Sequence, residues 1–140
     1  HADGGTVPIV GVFNGCRFTD PTTGKETFSN FYPASTAAAD IEAFIIDDPM
    51  VIFEIQAAIA MPVADLLGNF DVVYTTAGST VTGISGAELQ VTDGGTSTGL
   101  PLKAIDISRD PENSDVGSAH TNVQVVIVNH VFGLKGVGLA

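Results

Sequence analysis

Oxygen-bearing side chains are concentrated in the segment DISRDPENSD, residues 106–115. Carboxylates and amides this close in sequence are the hard ligands that Ca²⁺ takes, about six to eight oxygens per ion. The spacing does not match an EF-hand loop, because it lacks the glycine at the sixth position and the acidic residue at the twelfth. Asp110 and Pro111 are equally typical of a polar turn. We therefore interpret the segment as a turn and predict no metal and no cofactor.

Two histidines ten residues apart, His120 and His130, are the candidate general bases. The sequence has no HExxH, no Walker loop and no dinucleotide-binding glycine pattern that would accompany such a base. We therefore expect His130 to hydrogen-bond locally at the end of a strand and His120 to lie in a solvent-exposed loop. The sequence predicts no catalytic residues and a protein that is not an enzyme; the enzyme alternative is a small β-barrel hydrolase using Asp or His.

Cys16 is the only cysteine, so the chain cannot form an internal disulfide or a thiolate metal cluster. Its neighbours Phe13 and Phe18 belong to a strand-like segment. Free cysteine in such surroundings is usually a small buried apolar residue rather than a nucleophile.

Composition predicts a single folded domain that works through contact with other macromolecules. The 140 residues are 44% hydrophobic and only 15% charged, which suggests that another subunit or a partner covers part of the surface. The formal net charge of −11 opposes binding to nucleic acid. It fits either simple solubility or a specific basic partner. No apolar run is long enough for a membrane span, about 18 residues.

Turn residues divide the first half of the chain into strands. The segment 20–24, DPTTG, predicts a hairpin between residues 8–20 and 25–31, with a bulge at Gly11 or Gly15. Asp47, Asp48 and Pro49 predict a second hairpin, between residues 41–47 and 50–57. The loose alternation of these two strands suits burial on both faces or packing against a subunit.

The second half has one segment of helical character, MPVADLLG at 61–68, which is at most two turns long. Strands follow at 70–76, 87–92, 102–108 and 122–131, and the valine-rich last strand is expected to lie centrally. The fold class is therefore all-β: a single-domain antiparallel β-barrel or sandwich of about six to eight strands with at most one short helix. We divide the chain into a flexible arm (1–7), one β-rich domain (8–132) and a tail (133–140).

Three stretches carry a resemblance to a known class of proteins: GVFNGCRFTDPTTGKETFSNFYPAST, AFIIDDPMVIFEIQA and LKAIDISRDPENSDVGSAHTNVQVVIVNHVFG. Together they resemble small virion structural proteins of tailed bacteriophages, typically encoded beside the major capsid protein. The shared patterns are FSNFYP at 28–33, DDP at 47–49 and Asn129-His130 before an aromatic residue. The resemblance covers residues 8–132 and excludes the arm and the tail.

The resemblance implies a capsid decoration, or cement, protein on the exterior of the virion. Its partner would be the major capsid protein, and it would form a homo-oligomer on the capsid surface without touching nucleic acid or a membrane. The residues we expect to contact the shell are the arm and two apolar positions taken as exposed: His1, Ala2, Asp3, Gly4, Gly5, Thr6, Val7, Ile9 and Phe31. The alternative is a tail, neck or surface-fibre protein whose loops at 78–86 and 93–99 contact host polysaccharide.

Overall fold

A computed structural model describes residues 8–34, 36–95 and 99–133. Over these ranges the fold is all-β, as predicted, with a single 3-10 helix at Val63–Asp65. The strands form two antiparallel sheets that do not close into a barrel. The eight strands are β1 Val12–Thr19, β2 Glu26–Ser29, β3 Glu42–Ile46, β4 Phe53–Gln56, β5 Asn69–Val73, β6 Glu88–Gly95, β7 Leu102–Ile107 and β8 Asn122–Ile127.

The small sheet has the strand order β2-β1-β3 and begins with the predicted hairpin. The Asp20 carboxylate accepts the Thr22 N–H at 2.7 Å, and the Asp20 carbonyl accepts the Gly24 N–H at 2.7 Å. Gly24 has a φ of +67°, a conformation that side chains oppose, which explains the glycine. The register of β1 against β3 shifts between Phe13 and Cys16, so a bulge lies beside Gly15, one of the two predicted positions.

The large sheet has the strand order β4-β8-β7-β5-β6, and β8 lies in its interior as predicted. The two edge strands of this sheet, β4 and β6, approach each other at an isolated bridge between Ala57 and Leu89. There the Leu89 carbonyl accepts the Ala58 N–H at 3.0 Å. The large sheet therefore curls until its own edges meet at one end.

The hydrophobic core belongs to the large sheet. Its buried members are Ala57, Met61, Phe70, Leu89, Val91, Leu102, Ala104, Val123, Val125 and Ile127. The packing is close enough to dictate sequence at Gly94, where a Cβ would lie 2.1 Å from Cε1 of Phe70. The buried hydrophobic residues of the small sheet, by contrast, are Cys16 and Phe18.

The predicted hairpin between the third and fourth strands is wrong, because β3 pairs with β1 and β4 pairs with β8 in the other sheet. The Asp48 turn does form, and its carboxylate accepts the Met50 N–H at 2.8 Å. Cross-strand polar contacts favour the observed partners. Arg17 on β1 is paired with Glu42 on β3, and Asn122 on β8 donates to Glu54 on β4.

The first and last described segments of the domain lie side by side. Ile9 forms a parallel bridge with His130, in which its N–H donates to the Asn129 carbonyl at 2.8 Å. The predicted arm, residues 1–7, and residues 134–140 of the predicted tail lie outside the described residues. No helix in the described ranges is both long enough and apolar enough to cross a bilayer.

Candidate protein-binding surface

All five residues of β3, the sequence EAFII, are exposed to solvent. Phe44 and Ile45 are each 44% exposed and Ile46 is 38% exposed. The expectation that this strand is buried on both faces is therefore wrong within the chain, while packing against a subunit stays a prediction. Because β3 is also the last strand of its sheet, it presents an unpaired backbone edge among the described residues. We call residues 43–48, AFIIDD, the β3 edge.

Apolar side chains occupy both faces of the small sheet. Arg17 lies opposite both Phe28 and Glu42, so these residues share a face with Phe44 and Ile46, which follow Glu42 at intervals of two. Phe28 is the most exposed of them, at 67%. Phe13 on β1 and Ile45 on β3 are cross-strand partners next to the bulge, and both are also exposed. An added strand would therefore meet apolar side chains above and below its own plane.

Arg17 on β1 links the three strands of the small sheet. Its guanidinium contacts Glu26 on β2 and Glu42 on β3, each at 2.8 Å. The hydrogen bond to Glu42 and the negative charge of that residue, followed by the contact with Glu26, raise the pKa of Arg17. The Glu42 carboxylate at the N-terminal end of β3 is thus already engaged in an ion pair within the small sheet.

The opposite end of β3 carries two exposed acids, Asp47 and Asp48. Asp48 accepts the Met50 N–H, whereas Asp47 has no hydrogen bond or ion pair to any described residue. The β3 edge therefore combines four consecutive apolar residues with a negative charge at its C-terminal end that no described residue pairs with.

A half-open cleft of about 1130 Å³ separates the two sheets. Asn30 bridges it by donating from Nδ2 to the Thr82 carbonyl at 2.7 Å. Tyr74, Ser79 and Ser85 are among the residues that line the cleft, and the hydroxyl oxygens of the two serines accept nearby backbone N–H groups. Partial burial, followed by the nearby charge of Asp71, raises the pKa of Tyr74.

The predicted contact residues fall in three places. The arm, His1–Val7, lies outside the described residues. Ile9 is half-buried and packs against the core cluster, and Phe31 is half-buried with its carbonyl 3.7 Å from the Cys16 sulfur. Neither is exposed as assumed, and whether either contacts a partner stays a prediction. The signal missed in the sequence was AFII followed directly by two acids.

The acidic run and the histidines form local contacts. Asp110 accepts the Glu112 N–H at 3.0 Å, which confirms the turn, and no group of three or more potential metal ligands was found in the described ranges. His120 is exposed, with Nδ1 3.4 Å from Glu88. His130 is buried beyond the end of β8, in the isolated bridge with Ile9, and its Nδ1 accepts the Phe132 N–H at 3.0 Å. His120 is thus exposed as predicted, and His130 forms the predicted local hydrogen bond, although its strand ends earlier, at Ile127.

Comparison of the chain with protein-family models, with curated proteins and with solved structures found no match.

Proposed function

We propose that this chain is a capsid decoration protein of a tailed bacteriophage, bound to the outer surface of the head. The observation that carries the proposal is the β3 edge, an exposed apolar strand at the open side of a small sheet. The bacteriophage setting rests on the sequence resemblance described above. In this role the protein has no catalytic task and stabilises contacts between units of the major capsid protein.

An open apolar edge strand is a hazard for a protein in solution. Natural proteins protect edge strands with charges, proline, bulges or a covering element, because an exposed apolar edge pairs with other chains. The bulge of the small sheet lies in β1, and residues 43–46 contain neither charge nor proline. A strand of this kind is compatible with a protein that spends its working life attached to a partner.

Decoration also explains how a weakly packed sheet could be useful. The small sheet buries little of its own surface, so contact with a shell would remove apolar area that is now exposed. A ligand that binds only the assembled lattice stabilises that lattice by mass action. Many copies on an icosahedral surface would give this effect at each contact between capsomers.

The test uses virions of a phage that encodes this chain. Heads stripped of the protein are expected to release their DNA at a lower temperature than intact heads. When both are diluted into low salt, the stripped heads should release DNA at a higher ionic strength than intact heads. Re-adding the purified chain should restore both values, and re-adding an unrelated protein of similar charge should not. If stripped heads survive heat and dilution as well as intact heads, the proposal is wrong.

One observation favours a second candidate, a tail, neck or surface-fibre protein that contacts host polysaccharide. Three residues that carry hydroxyl groups, Tyr74, Ser79 and Ser85, line the cleft between the sheets, and such groups are among those that orient polar ligands in pockets. Copy number separates the candidates: hundreds of copies per particle indicate decoration, and a few at one vertex indicate a tail or neck protein.

A further inference from the structure

We propose that the β3 edge binds an extended segment of the shell protein as an additional strand, and that this segment carries a basic residue beside an apolar run. The inference rests on the proposed function, because it names the contact through which decoration would occur. In this mode the backbone of the incoming strand supplies hydrogen bonds, while its side chains supply specificity.

The β3 edge is the strand most suited to this contact. Of the four edge strands that the described residues form, β4 and β6 already meet at the Ala57–Leu89 bridge. The small sheet ends in β2 and β3, and β2 has the mostly polar sequence ETFS. The sequence of β3 is EAFII, with its apolar residues exposed on both faces. The occupant is therefore expected to be apolar on both faces as well.

Charge argues against a second copy of this chain as the occupant. An antiparallel pair centred on Phe44 would place Asp40 of one copy opposite Asp48 of the other. A parallel pair in register would place Asp47 beside Asp47. Like charges directly opposite one another destabilise a pair of strands, and each chain already carries a net charge of −11.

The acidic residues at the two ends of β3 also indicate which charge the incoming segment would carry. Glu42 is already ion-paired with Arg17, whereas Asp47, directly after the C-terminal end of the strand, has no ion pair to any described residue. A lysine or arginine at the end of the incoming segment that meets Asp47 would pair with that carboxylate. We therefore infer an apolar strand flanked by basic residues, with the charge supplying register and the apolar run supplying affinity.

The experiment measures binding of synthetic peptides to the full chain by fluorescence anisotropy at low salt. The first peptide has a central Val-Ile-Val-Ile-Val run with two lysines at each end, so that both faces are apolar. The second replaces the lysines by glutamates, and the third is the lysine peptide N-methylated throughout its centre. We expect the lysine peptide to bind at least about tenfold more tightly than either of the others.

Two variants with the same change in net charge show where the peptide binds. Asp47→Lys is expected to weaken the lysine peptide about fivefold and to strengthen the glutamate peptide, because the reversed charge lies at the docking edge. Glu112→Lys, in the connection between β7 and β8, is the matched control and should change either affinity by less than about twofold.

Each outcome of these measurements either supports or overturns the proposed docking mode. Equal effects of Asp47→Lys and Glu112→Lys, or equal binding of the N-methylated peptide, would overturn it in favour of diffuse charge attraction. A dimer in sedimentation that is lost in Phe44→Lys would overturn it in favour of a second copy. Failure of the decoration test with peptide binding intact would refute the capsid role while leaving the docking site in place.

Discussion

The Asp40 carboxylate holds Thr19 by two hydrogen bonds, one from the backbone N–H at 3.1 Å and one from the hydroxyl group at 2.6 Å. The two residues are 21 positions apart and join the segment entering β3 to the end of β1. The candidate docking strand is thus held to its neighbour partly by exposed polar contacts, because few side chains of the small sheet are buried.

Removing this contact should loosen the small sheet selectively. In Asp40→Ala we expect amide hydrogen exchange in β1 and β3 to accelerate about fivefold, the effect of one or two lost hydrogen bonds. Exchange in β7 and β8 should be unchanged, since these strands belong to the other sheet. Uniform acceleration across both sheets in a hydrogen-exchange experiment would contradict the account.

Acid should loosen the small sheet in the same way. The hydroxyl and N–H groups of Thr19 lower the pKa of Asp40, and the backbone N–H of Thr22 lowers the pKa of Asp20. A carboxyl group with a lowered pKa contributes stability above its unfolded value, near 4, and that contribution is lost as the pH falls through the folded value. Protection of the Thr19 amide should therefore decrease between pH 5 and pH 3. In Asp40→Ala this decrease should be smaller, and an identical pH profile would exclude Asp40 as its source.

Core and edge aromatic residues should respond very differently to truncation. Phe70→Ala is expected to lower the free energy of unfolding by about 3–5 kcal/mol, because the ring is fully buried in the core cluster. Phe28→Ala should change it by less than about 0.5 kcal/mol, because that ring is largely exposed. Urea unfolding of both variants checks the pair. A large loss in Phe28→Ala would mean that the small sheet depends on this ring for its own folding.

Cys16 offers a direct measure of small-sheet opening. Its thiol is buried, and Phe18 on the same strand forms a T-shaped contact with Tyr32. Because this sheet buries few apolar residues, we expect a thiol reagent to label Cys16 through local opening, at a free energy below that of global unfolding. Bound lysine peptide should slow the labelling. Equal free energies for labelling and for global unfolding would show that the two sheets open together.

Local turn chemistry was readable from the sequence, whereas strand partners were not. Asp20 and Gly24 determine the first hairpin within five residues, so the prediction needed no distant contact. The Asp48 turn also formed, yet the strands on either side joined different sheets, because their partners β1 and β8 are far away in sequence. The exposure of Phe44 was missed for a related reason. A run of apolar residues is read as buried, and only the assembled sheet shows that nothing in the described ranges covers it.

The most direct measurement is a reconstruction of virions of a phage that encodes this chain, at a resolution that traces strands. We expect hundreds of copies spread over the outside of the head. In each copy, a strand of the shell protein should run beside Phe44, with a basic side chain near Asp47. A reconstruction with the protein absent from the head, or with β3 facing solvent in every copy, would contradict it.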